Sequence, residues 1–362
     1  MLDYNNSKLI ADTSNLEPNK VVWQSPSNLA IVKYWGKHGL QLPQNPSLSF
    51  TLANCFTQTM LEYTPKDYPS NEIELEMYFH GERNEKFESK TLAFLNSIVE
   101  VFPFLRQFKL KIQTGNSFPH SSGIASSASG MSALALCLCT MEDRLFGTLQ
   151  ENNAFDQKAS YIARLGSGSA CRSIYPYMSA WGKTSAIEGS SDEYGIPYEN
   201  HIHDVFKGYH NAILIASSEE KSVSSRAGHA LMEGNVYAAA RYQQARERMN
   251  SLVDILKEGD THAFGQLAEN EAMSLHALMM ASSPSYTLIR PNTLSMIEAI
   301  RNYREETKQP VYFSLDAGPN IHLLYPDDCK EEVQLLIDEQ LVPLCQKGVW
   351  IKDWIGEGPE EL

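Results

Sequence analysis

Long apolar runs are missing from this chain of 362 residues. Its most apolar stretches, such as residues 131–139 and 212–216, stop well short of the roughly 20 residues that a membrane-spanning helix needs, so no membrane partner is expected. The first twenty residues are polar and lack the basic-then-apolar pattern of a secretory signal, so none is expected. Positive charge is scarce as well. With 30 Lys and Arg against 44 Asp and Glu the net charge is −14, which excludes the broad basic face that a nucleic acid requires. The six cysteines (Cys55, Cys137, Cys139, Cys171, Cys329 and Cys345) form no CxxC pair and no Cys/His metal spacing. They read as buried, reduced thiols of a cytoplasmic protein. Internal repeats and low-complexity blocks are also absent.

What is present is an ordinary globular balance, 43% apolar and 20% charged, in a chain long enough for about two domains. Period-two alternation predicts strands near residues 21–58 (with a hairpin), 72–79, 108–114, 211–217 and 311–315. Helical spacing predicts helices over 86–102, 157–165 and 235–258, and one that begins within 116–138. Strands and helices in this irregular order imply an α+β fold of two lobes, residues 1–207 and 208–362. Between these segments and in the last forty residues little can be read. The negative net charge leaves room for a small phosphorylated ligand, provided that a few cations and backbone N–H groups gather at one place.

Three segments carry chemistry. The first, "PHSSGIASSA" from Pro119, is a small-residue turn running into an Ala- and Leu-rich helix. It can offer unpaired N–H groups and a helix dipole to phosphate, with Ser126 and Ser127 adding hydroxyls; it can equally be an ordinary Ser cap on a buried helix. No Gly-Lys-Ser/Thr follows, so it is not a Walker A loop. In the second, Lys33, Tyr34 and Lys37 cluster at the end of an apolar strand. A continuing strand would put Tyr34 opposite the lysines, whereas a turn at Trp35-Gly36 would bring Tyr34 and Lys37 together; a merely solvated strand end is the alternative. In the third, Asp316 ends the strand "VYFSL" before a Gly-Pro turn, either as a held carboxylate able to act as a base or as the cap of its own turn.

Taken together the blocks resemble the diphosphomevalonate decarboxylases of the GHMP small-molecule kinase superfamily. "NLAIVKYWGK" (28–37), "FPHSSGIASSASG" (118–130), "GSGSACRS" (166–173) and "DAGPN" (316–320) stand in the family's order. The resemblance implies a two-lobed GHMP-kinase fold, with an N-terminal lobe like domain 2 of ribosomal protein S5 and a ferredoxin-like C-terminal lobe. It implies ATP-dependent decarboxylation of mevalonate 5-diphosphate to isopentenyl diphosphate, a step of isoprenoid biosynthesis, with Mg²⁺ carried by ATP and with homodimers. Position by position, Asp316 is expected as the base for the substrate 3-hydroxyl, Lys33 beside it, and Arg172 as the clamp on the substrate carboxylate. Asn28, Tyr34, Lys37, Ser167, Ser169, Ser225 and Arg226 are expected around the substrate and its diphosphate. Pro119, Ser122, Gly123, Ala125, Ser126, Ser127 and Lys221 are expected around ATP, with Ser127 as a hydroxyl contact for the metal rather than part of a protein-only metal site. The sequence departs from the family at Ile124, at 120–122, at His38, and at Glu76, where eukaryotic members carry an Arg. A relative acting on mevalonate or its 5-phosphate, or an inactive binding protein of the same fold, is the alternative.

Overall fold

The computed structural model describes residues 2–119, 124–151, 153–199, 202–219 and 223–362. The first sheet grows from two long strands. β1 (Asn19–Val32) runs into a small hairpin, β2 (Lys37–His38) and β3 (Leu42–Pro43), and returns as β4 (Ser47–Pro65). β5 (Glu74–Phe79) and β6 (Glu82–Arg83) precede α1 (Glu85–Ser97), and β7 (Phe108–Asn116) leads to α2 (Ser126–Phe146) and α3 (Ala154–Gly166). One edge of β4 pairs with β1, while its other edge pairs with β7 over 57–65 and with β8 (Met178–Trp181) over 47–50. β9 (Ile196–Pro197) extends the sheet beyond β8. α2 packs its Ala- and Leu-rich face on this sheet, with Ala128, Ala133, Leu136 and Leu138 buried.

The second sheet has the order β11-β12-β10-β13, all antiparallel: β10 (His210–Leu214), β11 (Tyr312–Leu315), β12 (Ile321–Tyr325) and β13 (Trp350–Trp354). Its helices are α4 (Ser225–Ala230), α5 (Ala238–Glu258), α6 (Thr261–Met280), α7 (Pro291–Thr307) and α8 (Lys330–Leu336). Leu29, Ile31 and Phe50 from the first sheet share one apolar cluster with Ile213 of β10 and with Met249, Leu252 and Phe264 of α5 and α6. The register of β1 on β4 slips between Pro26 and Asn28, since Pro26 has no N–H to donate. The N–H groups of Ala53, Asn54 and Cys55 freed there donate to the buried carboxylate of Asp353 on β13, at 2.7–3.0 Å. The final strand β14 (Glu360–Glu361) pairs with β1, so the chain ends on the first sheet.

The α+β expectation holds. All six cysteines are buried free thiols, and no helix among the described residues is long and apolar enough to cross a membrane. α1 stops at Ser97 instead of reaching residue 102. The β-branched and aromatic residues Ile98, Val99, Val101 and Phe102, poor helix formers, sink into the core instead. α6 and α7 carry no signal in the sequence reading. The buried face of α6 holds Glu269, Glu271 and His276 among its Leu, Ala and Phe, and buried polar residues interrupt the apolar period by which a helix is read.

Candidate functional site

At the end of β1 the chain leaves the strand and turns at Gly36, whose φ is +92°. A side chain there would meet the Tyr242 hydroxyl at 2.1 Å, so glycine is required both by conformation and by space. The turn brings Lys33, Tyr34, Trp35 and Lys37 to one cavity of about 430 Å³, as expected for a turn and not for a continuing strand. Lys33 is 2% exposed, and its Nζ donates to Asp316 Oδ1 at 2.8 Å. Both partners are held from behind by α6. The backbone N–H of Lys33 donates to Glu271 Oε2 at 2.8 Å. His276 Nε2 lies 3.0 Å from the carbonyl oxygen of Asp316, which also accepts the N–H of Gly318.

Glu271 is fully buried and also takes Arg241, and Arg248 at 2.7 Å. Removing one member of such a buried group leaves the remaining charges unpaired, which costs roughly 3–5 kcal/mol. Glu271→Gln keeps the shape and an oxygen for Lys33, yet strands two arginines. We expect its urea midpoint to fall by an amount equivalent to about 3 kcal/mol with an unchanged m-value. A variant as stable as the parent would show that this cluster does not hold the end of β1.

Arg172 lies on the 3₁₀ turn Gly168–Ser173 that follows α3. Gly168 allows the turn to press against the ring of Tyr34 and against Trp181, since a Cβ there would lie 2.9 Å from each. The guanidinium is 2% exposed and donates to Ser49 Oγ (2.8 Å), Ser47 Oγ (2.6 Å) and Asn28 Oδ1 (3.4 Å). All three acceptors are neutral, and no carboxylate among the described residues forms an ion pair with it. Burial lowers its pKa, although the Asp316 charge acts in the opposite sense, so desolvation outweighs the nearby charge. Asn28 in turn donates to Ser173 Oγ and to the Ser169 carbonyl.

The start of α2 also lines the cavity, and its N-cap Ala125 is left-handed (φ +46°) and makes no side-chain cap bond. The Ser-cap reading therefore does not apply; the Ala128 N–H donates to the Ala125 carbonyl at 2.7 Å, and the N–H groups of Ser126 and Ser127, without a partner among the described residues, can meet an anion. Ser126 and Ser127 face the cavity, and Ser127 Oγ sits 3.3 Å from Ser167 Oγ. Ser167, Ser169, Ser225 and Arg226 line it too. Lys37 donates to Gln41 Oε1 at 2.7 Å, and burial together with the Arg226 charge lowers its pKa.

Lys33, Tyr34, Lys37, Arg172, Arg226, Asp316, Asn28 and the serines thus meet in one place. Pro119 is exposed and is not among the lining residues, so its assignment to ATP gains nothing from the cavity. Ser122, Gly123 and Lys221 lie outside the described residues. Glu76 is exposed on β5, also away from the cavity. The sequence reading missed His229, Gln41 and Ser224 in the lining and Glu271 and His276 behind it. Ser224 and His229 had a local cue, one residue before Ser225 and three residues beyond Arg226. No group of three or more His, Cys, Asp or Glu side chains among the described residues could cage a metal ion. The site does combine one carboxylate with serine hydroxyls, oxygen ligands suited to Mg²⁺ that arrives on phosphates, and helix N–H groups suited to the phosphates themselves.

Comparison with known proteins gives a consistent result. Residues 25–193 match a family described as the diphosphomevalonate decarboxylase-like N-terminal domain, and residues 211–353 match the mevalonate 5-diphosphate decarboxylase C-terminal domain. The diphosphomevalonate decarboxylase of Bos taurus is 28% identical over 345 residues, covering 89% of this chain and 81% of its own. A structure on mevalonate diphosphate mediated ATP binding by the mevalonate diphosphate decarboxylase from Enterococcus faecalis superposes with a TM-score of 0.79 at 25% identity, over 95% of this chain and 99% of that one. A structure in complex with MVAPP, AMPPCP and magnesium superposes with a TM-score of 0.80 at 25% identity and the same coverage.

Proposed function

Because this chain belongs to the diphosphomevalonate decarboxylase family of the GHMP superfamily, we propose that it is an ATP-dependent carboxy-lyase converting mevalonate 5-diphosphate to isopentenyl diphosphate, ADP, phosphate and CO₂. The observation that carries this reading is the buried guanidinium of Arg172, held by neutral acceptors only and facing the same cavity as the Lys33–Asp316 pair. A desolvated cation whose direct hydrogen-bond partners are all neutral suits a ligand carboxylate, and the fork geometry takes both of its oxygens.

The chemistry requires two events. A tertiary 3-hydroxyl is a poor leaving group, so Asp316 accepts its proton as the γ-phosphoryl of ATP is transferred to it. Lys33, at 2.8 Å from Asp316 Oδ1, holds the carboxylate in place. Ser127 is the hydroxyl we assign to the magnesium that would come with the nucleotide, which would supply neutralising charge for the phosphoryl group. The 3-phosphate then departs with the C3–O electrons. Arg172 aligns the carboxylate so that the C–C electrons released with CO₂ become the alkene. Tyr34, Lys37, Ser167, Ser169, Ser225 and Arg226 hold the diphosphate end. Ala125 and Ser126 receive the phosphates of ATP, and we keep Pro119, Ser122, Gly123 and Lys221 in that group.

We place the lobe boundary near residue 207, just before β10, with β14 as the segment that crosses back. Free buried thiols support a cytoplasmic enzyme, and the family resemblance supports a homodimer. The test is a parallel assay of ADP and CO₂ with mevalonate, its 5-phosphate and its 5-diphosphate. We expect both products in equal amounts from the 5-diphosphate alone. Turnover confined to the 5-phosphate, or ADP without CO₂, would replace this reading.

A further inference from the structure

One residue in the cavity wall plays no part in the mechanism above. His229 sits on the short helix α4, three residues past Arg226, and lines the cavity next to Lys37. Its ring packs on Tyr34, with centroids 4.5 Å apart, and on Trp35 at 4.3 Å. Its Nδ1 lies 3.0 Å from the backbone nitrogen of Gly36, which donates to it. An imidazole that accepts through Nδ1 carries its proton on Nε2, so the tautomer is set by the Gly36 turn. Nε2 has no hydrogen-bond partner among the described residues and is not among the buried orphan atoms. A donor of fixed direction is therefore presented on the cavity wall.

Its surroundings define the acceptor. Lys37 is the charged neighbour that acts on the ring, and Arg226 acts on Lys37. Burial and the Lys37 charge lower the His229 pKa to about 3, so in the ligand-free protein the ring is neutral and adds no repulsion to the two cations. We propose that His229 Nε2–H donates to a phosphoryl oxygen of the substrate diphosphate between Lys37 and Arg226, a third contact on that group from a neutral side chain. The proposal rests on the reading of the site as a diphosphate site, and it deepens that reading by naming a determinant of diphosphate recognition. The Tyr34 and Trp35 rings prevent the imidazole from tilting away, so the hydrogen bond needs little ordering when the ligand arrives.

Two substitutions separate the two ring nitrogens. His229→Asn keeps an oxygen near the Nδ1 position for Gly36 but loses the Nε2 donor. His229→Gln reaches the Nε2 position with an amide N–H but gives up the Gly36 bond. Hydrogen bonds to charged acceptors are the stronger kind, and we expect His229→Asn to weaken binding of inorganic pyrophosphate by about tenfold or more. The KM for mevalonate 5-diphosphate should rise in parallel, while the KM for ATP stays within about twofold. His229→Gln should bind pyrophosphate within about threefold of the parent. In the unmodified protein labelled with ¹⁵N-histidine, the imidazole should show the Nε2–H tautomer, and that resonance should move when pyrophosphate is added.

An imidazole unmoved by pyrophosphate, or a His229→Asn protein that binds it as tightly as the parent, would overturn the proposal. The spectrum decides the matter even where the Asn variant does not fold. Parent protein that binds pyrophosphate through His229 yet forms no CO₂ from the 5-diphosphate would retain this contact while removing the proposed reaction.

Discussion

Asp316→Asn is expected to lower kcat by at least about three orders of magnitude while the protein remains folded. General-base assistance is worth about 10²–10⁴-fold, and here the loss is compounded. The substituted amide would still offer an oxygen to Lys33 Nζ, and the backbone carbonyl at this position would still accept from Gly318 and remain beside His276. The turn should therefore survive, and thermal unfolding should show a stability loss from the unpaired Lys33 that leaves the protein folded at the assay temperature. Lys33, however, is 2% exposed, and its ammonium would lose the carboxylate with which it forms its ion pair. The variant therefore loses both the base and the charge partner that orients the Lys33 ammonium. Both KM values should change little, the pattern of an interaction made in the transition state. ADP and CO₂, followed in parallel, should fall together. ADP formed at a normal rate while CO₂ stops would move Asp316 from phosphoryl transfer to the second step.

Arg172→Lys is expected to lower kcat/KM for the substrate by about 10²-fold or more, because misplacing a reacting group by about 1 Å costs that much. The charge is kept, but the planar fork is not. Ser47, Ser49 and Asn28 each receive a different guanidinium nitrogen, and a compact ammonium cannot reach all three while also taking two carboxylate oxygens. Nucleotide affinity, measured with an ATP analogue, should stay close to the parent value, since the α2 end of the cavity does not depend on Arg172. Near-normal turnover would remove Arg172 from the carboxylate.

The glycine, serine and alanine run before α2 marked a helix start because the reason for it is local: small residues and a helix follow each other in the chain. "GSGSACRS" and "DAGPN" were legible for the same reason, each being one turn whose residues are neighbours in sequence. The strand alternation around Lys33 was equally plain. Its continuation was not, and the choice between strand and turn fell to Gly36, where positive φ and the Tyr242 hydroxyl leave no room for another residue.

What the sequence by itself determined is therefore the α+β alternation, the small-residue start of α2, and the set of Lys33, Arg172 and Asp316 that the fold gathers at one cavity. The tertiary structure alone decided how these groups are held and what they lack. Glu271 reaches the Lys33 backbone across 238 residues, and Ser47 and Ser49 surround Arg172 across 125 and 123. His229 takes its tautomer from a glycine 193 residues away. Such contacts leave no period and no motif, because each side chain is ordinary in its own segment and acquires its role only from the partner that folding brings to it. That Arg172 lies buried among neutral acceptors is a property of the surrounding three-dimensional shell, and no reading of its neighbours in the chain contains it.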